Sequence, residues 1–204
     1  MANPRIDALA DLAPDIVGAW RGIEAGAFIA VRRELRKRAG AGTAQGINGQ
    51  LAHVAQALAA VTETLPDRAF GLPGGEEDWT VAQALGHTAD ARAGLAMAAS
   101  LAAQGRWPAD AAPVVPGIPG EAGTDRAGLI RRLNGSTRII ERAARAVAGH
   151  ETDPCPLEHP LVGRMRCGEW LLFAGVHDLM HLEQLERLER ELADETGAAG
   201  TAGA

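Results

Sequence analysis

The chain has 204 residues and a formal net charge of −6 at neutral pH, and 47% of its residues are apolar, with alanine prominent among them. Aromatic residues make up only 3% of the chain, and tyrosine is absent. Alanine has the highest helix propensity, whereas the aromatic and β-branched residues that favour strands are scarce. An acidic chain also lacks the basic surface that binds nucleic-acid phosphates. We therefore expect an all-α protein with no nucleic-acid partner.

A short basic run departs from this balance. Residues 32–38 read Arg-Arg-Glu-Leu-Arg-Lys-Arg. We interpret the run as a solvated helix face whose cations lie near a helix C-terminus, where they suit the helix dipole. A polyanion-binding arm is the alternative.

The two cysteines, Cys155 and Cys167, are too few for a disulfide framework. The start of the chain lacks the basic, apolar and cleavage-site order of a signal peptide. The apolar runs are interrupted by charge well before the roughly 20 residues that a bilayer span requires. These features predict a soluble, cytoplasmic protein with no membrane partner.

An N-terminal extension is predicted over residues 1–42. Its apolar residues recur at three- and four-residue steps from Ile6 to Leu35, which is typical of helix, and Pro14 with nearby glycines divides it into two short helices. Such a stripe must cover another apolar surface. We expect that surface to belong either to the body of the protein or to a second copy in a homodimer.

The body of the chain, residues 43–194, carries four amphipathic patterns, over about residues 47–65, from residue 79, and over about residues 124–148 and 168–192. Two longer connections, residues 105–123 and 150–167, are rich in proline and glycine and are predicted to be irregular. Helices of this number predict an up-and-down four-helix bundle, with or without a crossover. Residues 195–204 lack any large apolar residue and are predicted to form a flexible tail.

The last predicted helix carries His177 and His181, which are four residues apart and therefore lie on one face. The same stripe holds Trp170, Phe173 and Leu185, so this face is expected to point inward. Two inward imidazoles indicate a shared metal ion. Hydrogen-bonded core histidines are the alternative.

The second predicted helix adds His87, with Asp90 one turn later. In a bundle, His87 could join the pair on the last helix and complete a set of three neutral nitrogen ligands. Three protein ligands leave one position of a tetrahedral ion open, which is the catalytic rather than the structural pattern.

Three local motifs resemble the DinB-like superfamily, whose four-helix bundles include thiol-dependent S-transferases and maleylpyruvate isomerase-type enzymes. They are DWTVAQALGHTAD, EHPLVGRMRCGEWLLF and HDLMHLEQL, at residues 78–90, 158–173 and 177–185. The resemblance covers about residues 47–192 and leaves the extension outside. It implies a four-helix bundle in which His87, His177 and His181 bind a divalent metal, with Zn²⁺ or Ni²⁺ expected.

The same resemblance implies an activity. A low-molecular-weight thiol would bind at the open metal position as a cosubstrate and attack a small electrophile, in a thiol S-transferase or a related hydrolase or isomerase. Asp90, Asp178 and Gln184 are candidates to fix the imidazole tautomers, although both aspartates also read as solvated helix charges. Cys155 and Cys167 are poor candidates for the nucleophile. A non-catalytic metal-binding scaffold, or a stress-associated binding protein, is the alternative function.

Overall fold

The computed structural model of the chain describes residues 3–24, 28–74, 78–112, 114–115 and 117–201. Helices dominate, as the composition predicts. The helices are α1 (Pro4–Ala8), α2 (Pro14–Glu24), α3 (Phe28–Ala41), α4 (Ala44–Thr64), α5 (Val81–Ala103), α6 (Arg126–Val147) and α7 (Cys167–Thr201). A short 3-10 turn covers Asp67–Gly71, and two strands, β1 (Pro154–His159) and β2 (Gly163–Arg166), precede α7.

Helices α4 to α7 form the four-helix bundle. Helix α4 packs on α6 and α7, and α5 packs on the same two helices. Two pairs of consecutive helices, α4 with α5 and α6 with α7, therefore lie diagonally across the bundle, whereas α5 and α6 are neighbours. The connections after α4 and after α6 must cross its ends, so the four-helix bundle has the crossover that the prediction allowed.

Three of the four bundle helices, α4, α5 and α6, begin at polar capping residues. Thr43 and Asp125 accept hydrogen bonds from backbone amides of α4 and α6, and Thr80 forms a reciprocal capping box with Gln83 on α5. These bonds satisfy amides that have no carbonyl partner within the helix. Gly149, with a φ of +82°, follows the end of α6 in a conformation that a side chain would disfavour.

The N-terminal extension folds as three helices rather than the predicted two, and it packs on the bundle. Helices α1, α2 and α3 all contact α7, and α2 also contacts α4. A Cβ placed on Gly175 of α7 would lie 2.5 Å from Ile16 Cδ1, so the glycine lets α2 approach closely. The apolar stripe of the extension thus covers the body of its own chain; its buried members include Ile6, Ile16, Trp20, Val31 and Leu35.

The segment predicted to be irregular before α7 contains an antiparallel hairpin. Pro154 lies opposite Arg166, and His159 lies opposite Gly163, whose φ of +78° permits the tight turn. The hairpin escaped prediction because its strands are short and β1 contains two prolines, which normally argue against a strand. The Glu158 carbonyl also accepts a hydrogen bond from the Val115 amide, so β1 supports the loop between α5 and α6.

The last helix is longer than predicted, because its backbone remains helical through Thr201. Residues 202–204 of the predicted flexible tail lie outside the described residues, and the proposed division of the chain at residues 42 and 194 stays a prediction. In the part of the chain that the structure describes, none of the helices combines the length and apolar composition that a membrane crossing needs.

A three-histidine candidate metal site

The structure brings the three predicted ligand residues together. His87 lies on α5 and His177 and His181 lie on α7, and one ring nitrogen from each comes within 4.8 Å of the others. The Nε2 atoms of His87 and His177 are 3.2 Å apart. Nitrogen ligands about 2.0–2.1 Å from a tetrahedral ion are themselves roughly 3.3 Å apart. The spacing of these imidazoles therefore suits one shared ion.

The tautomer of His87 is fixed by the backbone. Its Nδ1 lies 2.8 Å from the carbonyl oxygen of Ile118, which can only accept a hydrogen bond. Nδ1 must therefore carry the proton, and Nε2 of the neutral ring keeps its lone pair. That nitrogen lies 3.2 Å from Nε2 of His177.

His181 is fixed in the same way by a side chain. Its Nδ1 lies 2.9 Å from Gln184 Oε1, and an amide oxygen also accepts only. The hydrogen bond predicted for Gln184 is present. Nδ1 of His177 is buried and has no hydrogen-bond partner among the described residues, which leaves Nε2 as the nitrogen turned toward His87.

Burial keeps the two histidines of α7 neutral. It lowers the pKa of His177 well below the ordinary value, and the positive charge that His181 and His87 can carry lowers it further. Burial and the nearby His87 also lower the pKa of His181 to about 4, although the Gln184 hydrogen bond opposes that shift. Because metal ligands must be deprotonated, both rings are ready to donate at neutral pH.

The predictions that Asp90 and Asp178 hold the imidazoles are wrong. Asp178 is 0% exposed, and its Oδ2 accepts a hydrogen bond of 2.8 Å from Arg92 Nε. Asp90 is 58% exposed and pairs with Arg132 at 3.1 Å. Adjacent residues on a helix point about 100° apart, so the position after His177 faces a different neighbour.

The Ile118 carbonyl was not identified from the sequence, and a glycine contact holds it in place. The amide of Gly120 donates to the Gln83 carbonyl at 3.0 Å, which fastens the loop to the first turns of α5. A Cβ on Gly120 would lie only 2.6 Å from the Cα of Gly86. Two glycines therefore let the loop backbone reach His87. Nothing in the sequence pairs Gly86 with Gly120.

Arg92 was also missed, because an arginine on a helix usually reads as a surface charge. It is fully buried, and its guanidinium reaches the other three bundle helices. Besides Asp178 on α7, it donates to Ser136 and Thr137 on α6 and to the Leu51 carbonyl on α4. Arg92 thus ties α5, which carries His87, to the helix that carries His177.

Comparison with known families agrees with this site. A model of the DinB superfamily matches residues 50–185, about two thirds of the chain. The matched region includes the three histidines and Gln184. No curated protein and no solved structure matches the chain.

Proposed function

The chain belongs to the DinB superfamily, and from that premise we propose that it is a metal-dependent thiol S-transferase, or a related hydrolase or isomerase, acting on small electrophiles. The observation that carries the proposal is the convergence of three imidazole nitrogens from two helices. Two of the rings have their tautomers set by Ile118 and Gln184, which leaves Nε2 of each as the nitrogen able to donate to an ion.

The donor set fits a divalent ion with room for a further ligand. Neutral imidazole suits Zn²⁺, Ni²⁺ and neighbouring ions, and three protein ligands leave a tetrahedral position open. A bound ion of this kind would supply the positive charge that favours the thiolate form of a thiol cosubstrate. The role of the chain is to hold His177 and His181 neutral and to bring the three imidazoles to one point.

The cysteines of the chain do not suit the nucleophilic role. Cys155 and Cys167 are both buried. Burial raises the pKa of Cys155, and it raises the pKa of Cys167 to about 12, so both thiols stay protonated at neutral pH. Because the thiolate is the reactive form, an external low-molecular-weight thiol is the better nucleophile.

The proposed reaction needs neither an oxidant nor a reductant. In the transferase form, the thiol sulfur bonds to the electrophilic carbon, the leaving group departs with the bonding electron pair, and the thiol proton passes to water. In an isomerase, the sulfur would add and later be expelled, so the thiol would be regenerated.

Metal analysis tests the site. We expect the purified protein to contain close to one equivalent of a divalent metal ion, and His181→Ala to lose nearly all of it because one of the three ligands is removed. His53→Ala, which changes a histidine on α4 outside the cluster, is the matched control and should retain the ion. Retention of metal by His181→Ala would place the metal elsewhere and refute the site.

Turnover tests the activity. The metal-loaded protein, given a generic electrophile and a panel of cellular thiols, should form the thioether faster than a protein-free control. His181→Ala should match that control. Metal-loaded protein with no rate above the control would refute the transferase and leave a non-catalytic metal-binding scaffold.

A further inference from the structure

A pocket of about 270 Å³ borders the histidine cluster. One wall is a single face of α5, on which His87 is followed by the small residues Ala91, Gly94 and Ala98 at three- and four-residue steps. The other wall comes from the α5–α6 loop and from β1, which contribute Val115, Ile118 and Leu157. His87 therefore belongs both to the pocket and to the three-histidine site.

The chemistry of the lining is almost wholly apolar. Among the described residues that line it, Asp90 is the only Asp, Glu, Lys or Arg, and its carboxylate already pairs with Arg132 at 3.1 Å. The described lining residues include no Lys or Arg that could pair with a carboxylate or phosphate of a ligand. Burying an unpaired anion in such a place is costly, whereas burying apolar surface is favourable.

Two features indicate that the pocket is open to a ligand. Ile118 is 62% exposed even though its carbonyl is held by His87, so an apolar surface lies at the rim. A Cβ built on Gly94 meets nothing within 4 Å, so the glycine leaves free space in the wall. A volume near 270 Å³ is at the small end of ligand pockets, which are roughly 300–1,000 Å³.

We propose that this pocket binds the uncharged, apolar part of the electrophilic substrate, of the size of one aromatic ring or a short aliphatic chain, and holds its reactive carbon beside His87. The inference rests on the proposed function, because it assigns a substrate class to the same site. It excludes substrates whose apolar part carries an anionic group.

Binding of two probes of similar size tests the pocket without requiring turnover. Benzyl alcohol is neutral, and benzenesulfonate carries a full negative charge at neutral pH but, unlike a carboxylate, is a poor ligand for a divalent metal ion. By titration calorimetry, or by NMR of labelled protein, we expect saturable binding of benzyl alcohol and roughly tenfold or more weaker binding of benzenesulfonate, because its charge must be desolvated without a partner. Equal binding of the two probes would refute the assigned class.

A matched pair of variants locates the binding. Gly94→Leu places a side chain in the pocket and should weaken benzyl alcohol binding by roughly tenfold or more. Gly135→Leu makes the same change in α6, where a Cβ also meets nothing within 4 Å, and should bind like the wild type. If Gly94→Leu binds benzyl alcohol as tightly as Gly135→Leu, the pocket is not the binding site.

Metal content, measured on the same samples, separates this inference from the proposed function. A normal metal content with no benzyl alcohol binding would refute the pocket alone. A purified protein with no metal at the histidines would refute the proposed function, and with it the assignment of the pocket to its substrate, even if benzyl alcohol binds.

A rate comparison tests the substrate class. With metal bound, a thiol should displace chloride from benzyl chloride roughly tenfold or more faster, in kcat/KM, than from its 4-carboxylate analogue. In that step the carbon–sulfur bond forms, chloride leaves with its electron pair, and the thiol proton passes to water. Equal rates for the two chlorides would refute the substrate class.

Discussion

The position of one proton on each imidazole decides whether the ring can donate to a metal ion. At His87 and His181 that proton is held on Nδ1 by oxygen atoms that cannot donate, the Ile118 carbonyl and the Gln184 amide oxygen. In each neutral ring the proton on Nδ1 leaves Nε2 with the lone pair that can bind an ion. The two rings are therefore oriented by separate elements, one by a loop and one by the next turn of α7.

Replacing Gln184 tests this orientation. In Gln184→Leu the His181 ring loses its acceptor, and we expect the affinity for Zn²⁺ to fall roughly 10–100-fold. Gln184→Glu retains an acceptor oxygen and should keep affinity near the wild-type value. Competition against a metal-chelating dye measures both. Equal affinities for Gln184→Leu and the wild type would show that the ring needs no such support.

The lowered histidine pKa values predict an acid-sensitive metal-free protein. His181 has an ordinary pKa near 6.5 when the chain is unfolded and a pKa of about 4 when folded. Between these values the unfolded chain binds more protons, so the free energy of unfolding should fall as pH drops through this window. From His181 alone the expected loss between pH 7 and pH 5 is about 2 kcal/mol.

Urea unfolding of the metal-free protein at the two pH values measures this loss. His181→Gln has no proton to take up and should lose less stability over the same range. A protein whose stability at pH 5 equals that at pH 7 would show that the buried rings are accessible to protons in the folded state.

Among the described residues, Arg92 is the one side chain of a bundle helix that donates hydrogen bonds to all three of the other bundle helices. Its guanidinium lies against Asp178, and both side chains are 0% exposed. Removing one partner of such a pair leaves the other buried and charged. The arginine therefore holds the bundle helices in register, and with them the helices that carry the histidines.

Arg92→Leu should consequently cost about 3–5 kcal/mol of unfolding free energy, because Asp178 would be left unpaired. Adding Asp178→Asn removes that stranded charge and should recover part of the loss. Arg132→Leu breaks the more exposed pair with Asp90 and should cost less than about 1 kcal/mol. Urea unfolding of the variants measures these differences, and equal losses for Arg92→Leu and Arg132→Leu would contradict the role of Arg92.

The close contact between Gly86 of α5 and Gly120 of the following loop can be tested by substitution. In Gly120→Ala a new Cβ would meet the Gly86 backbone at 2.6 Å, and backbone atoms cannot rotate away. The loop should shift, the His87 bond to Ile118 should weaken, and metal affinity should fall roughly tenfold. Gly117→Ala, in the same loop, meets nothing within 4 Å and is the control.

Long-range ¹H–¹⁵N correlation of the imidazoles would report the His87 tautomer directly in both variants. The Nδ1-protonated form should be lost or diminished in Gly120→Ala and retained in Gly117→Ala. An unchanged tautomer and unchanged metal affinity in Gly120→Ala would show that the loop is not what orients His87.

The sequence predicts features that repeat along one helix and misses those that depend on two distant segments. His177 and His181 could be predicted as a pair because they share a helical stripe, and His87 could be added as a third candidate from the second helix, to which the resemblance then gave the same role. The Ile118 carbonyl is a backbone atom with no sequence signature. Asp178 follows a ligand histidine, but its partner Arg92 lies 86 positions earlier, and only the fold shows that they meet.

For the molecule as a whole, the extension is part of the core rather than an appendage. Its buried residues join those of the bundle in one continuous apolar cluster. The apolar stripe that suggested a homodimer is covered by α7 and its neighbours within the chain. The homodimer stays a prediction, and it would have to use another surface.

Two aspartate substitutions in the extension test this arrangement. Ile16→Asp puts a charge where the side chain is 0% exposed, and we expect a loss of at least about 3 kcal/mol. Leu12→Asp changes a residue that is 51% exposed and should stay within about 0.5 kcal/mol of the wild type. Equal stabilities would show that α2 does not rest on the bundle.

Light scattering during gel filtration of the chain without residues 1–42 tests the same arrangement. Because α7 would be uncovered, we expect self-association into larger species. A stable, well-behaved monomer would contradict the packing, and a wild-type dimer that dissociates cleanly on this deletion would assign the extension to a partner copy.

The first described residues of the chain are hydrogen-bonded to its last helix, α7. Asn3 donates to Glu183, 180 positions later, and the Arg5 amide donates to Glu186. At roughly 5–20 residues per second, a ribosome needs about 10–40 s to make the intervening chain, and the α7 surface on which α1 to α3 pack is absent during that time. Helix α7 also carries two of the three imidazoles, so the nascent polypeptide gains the surface that holds its N-terminal helices and its ion-binding residues together, once α7 has been made.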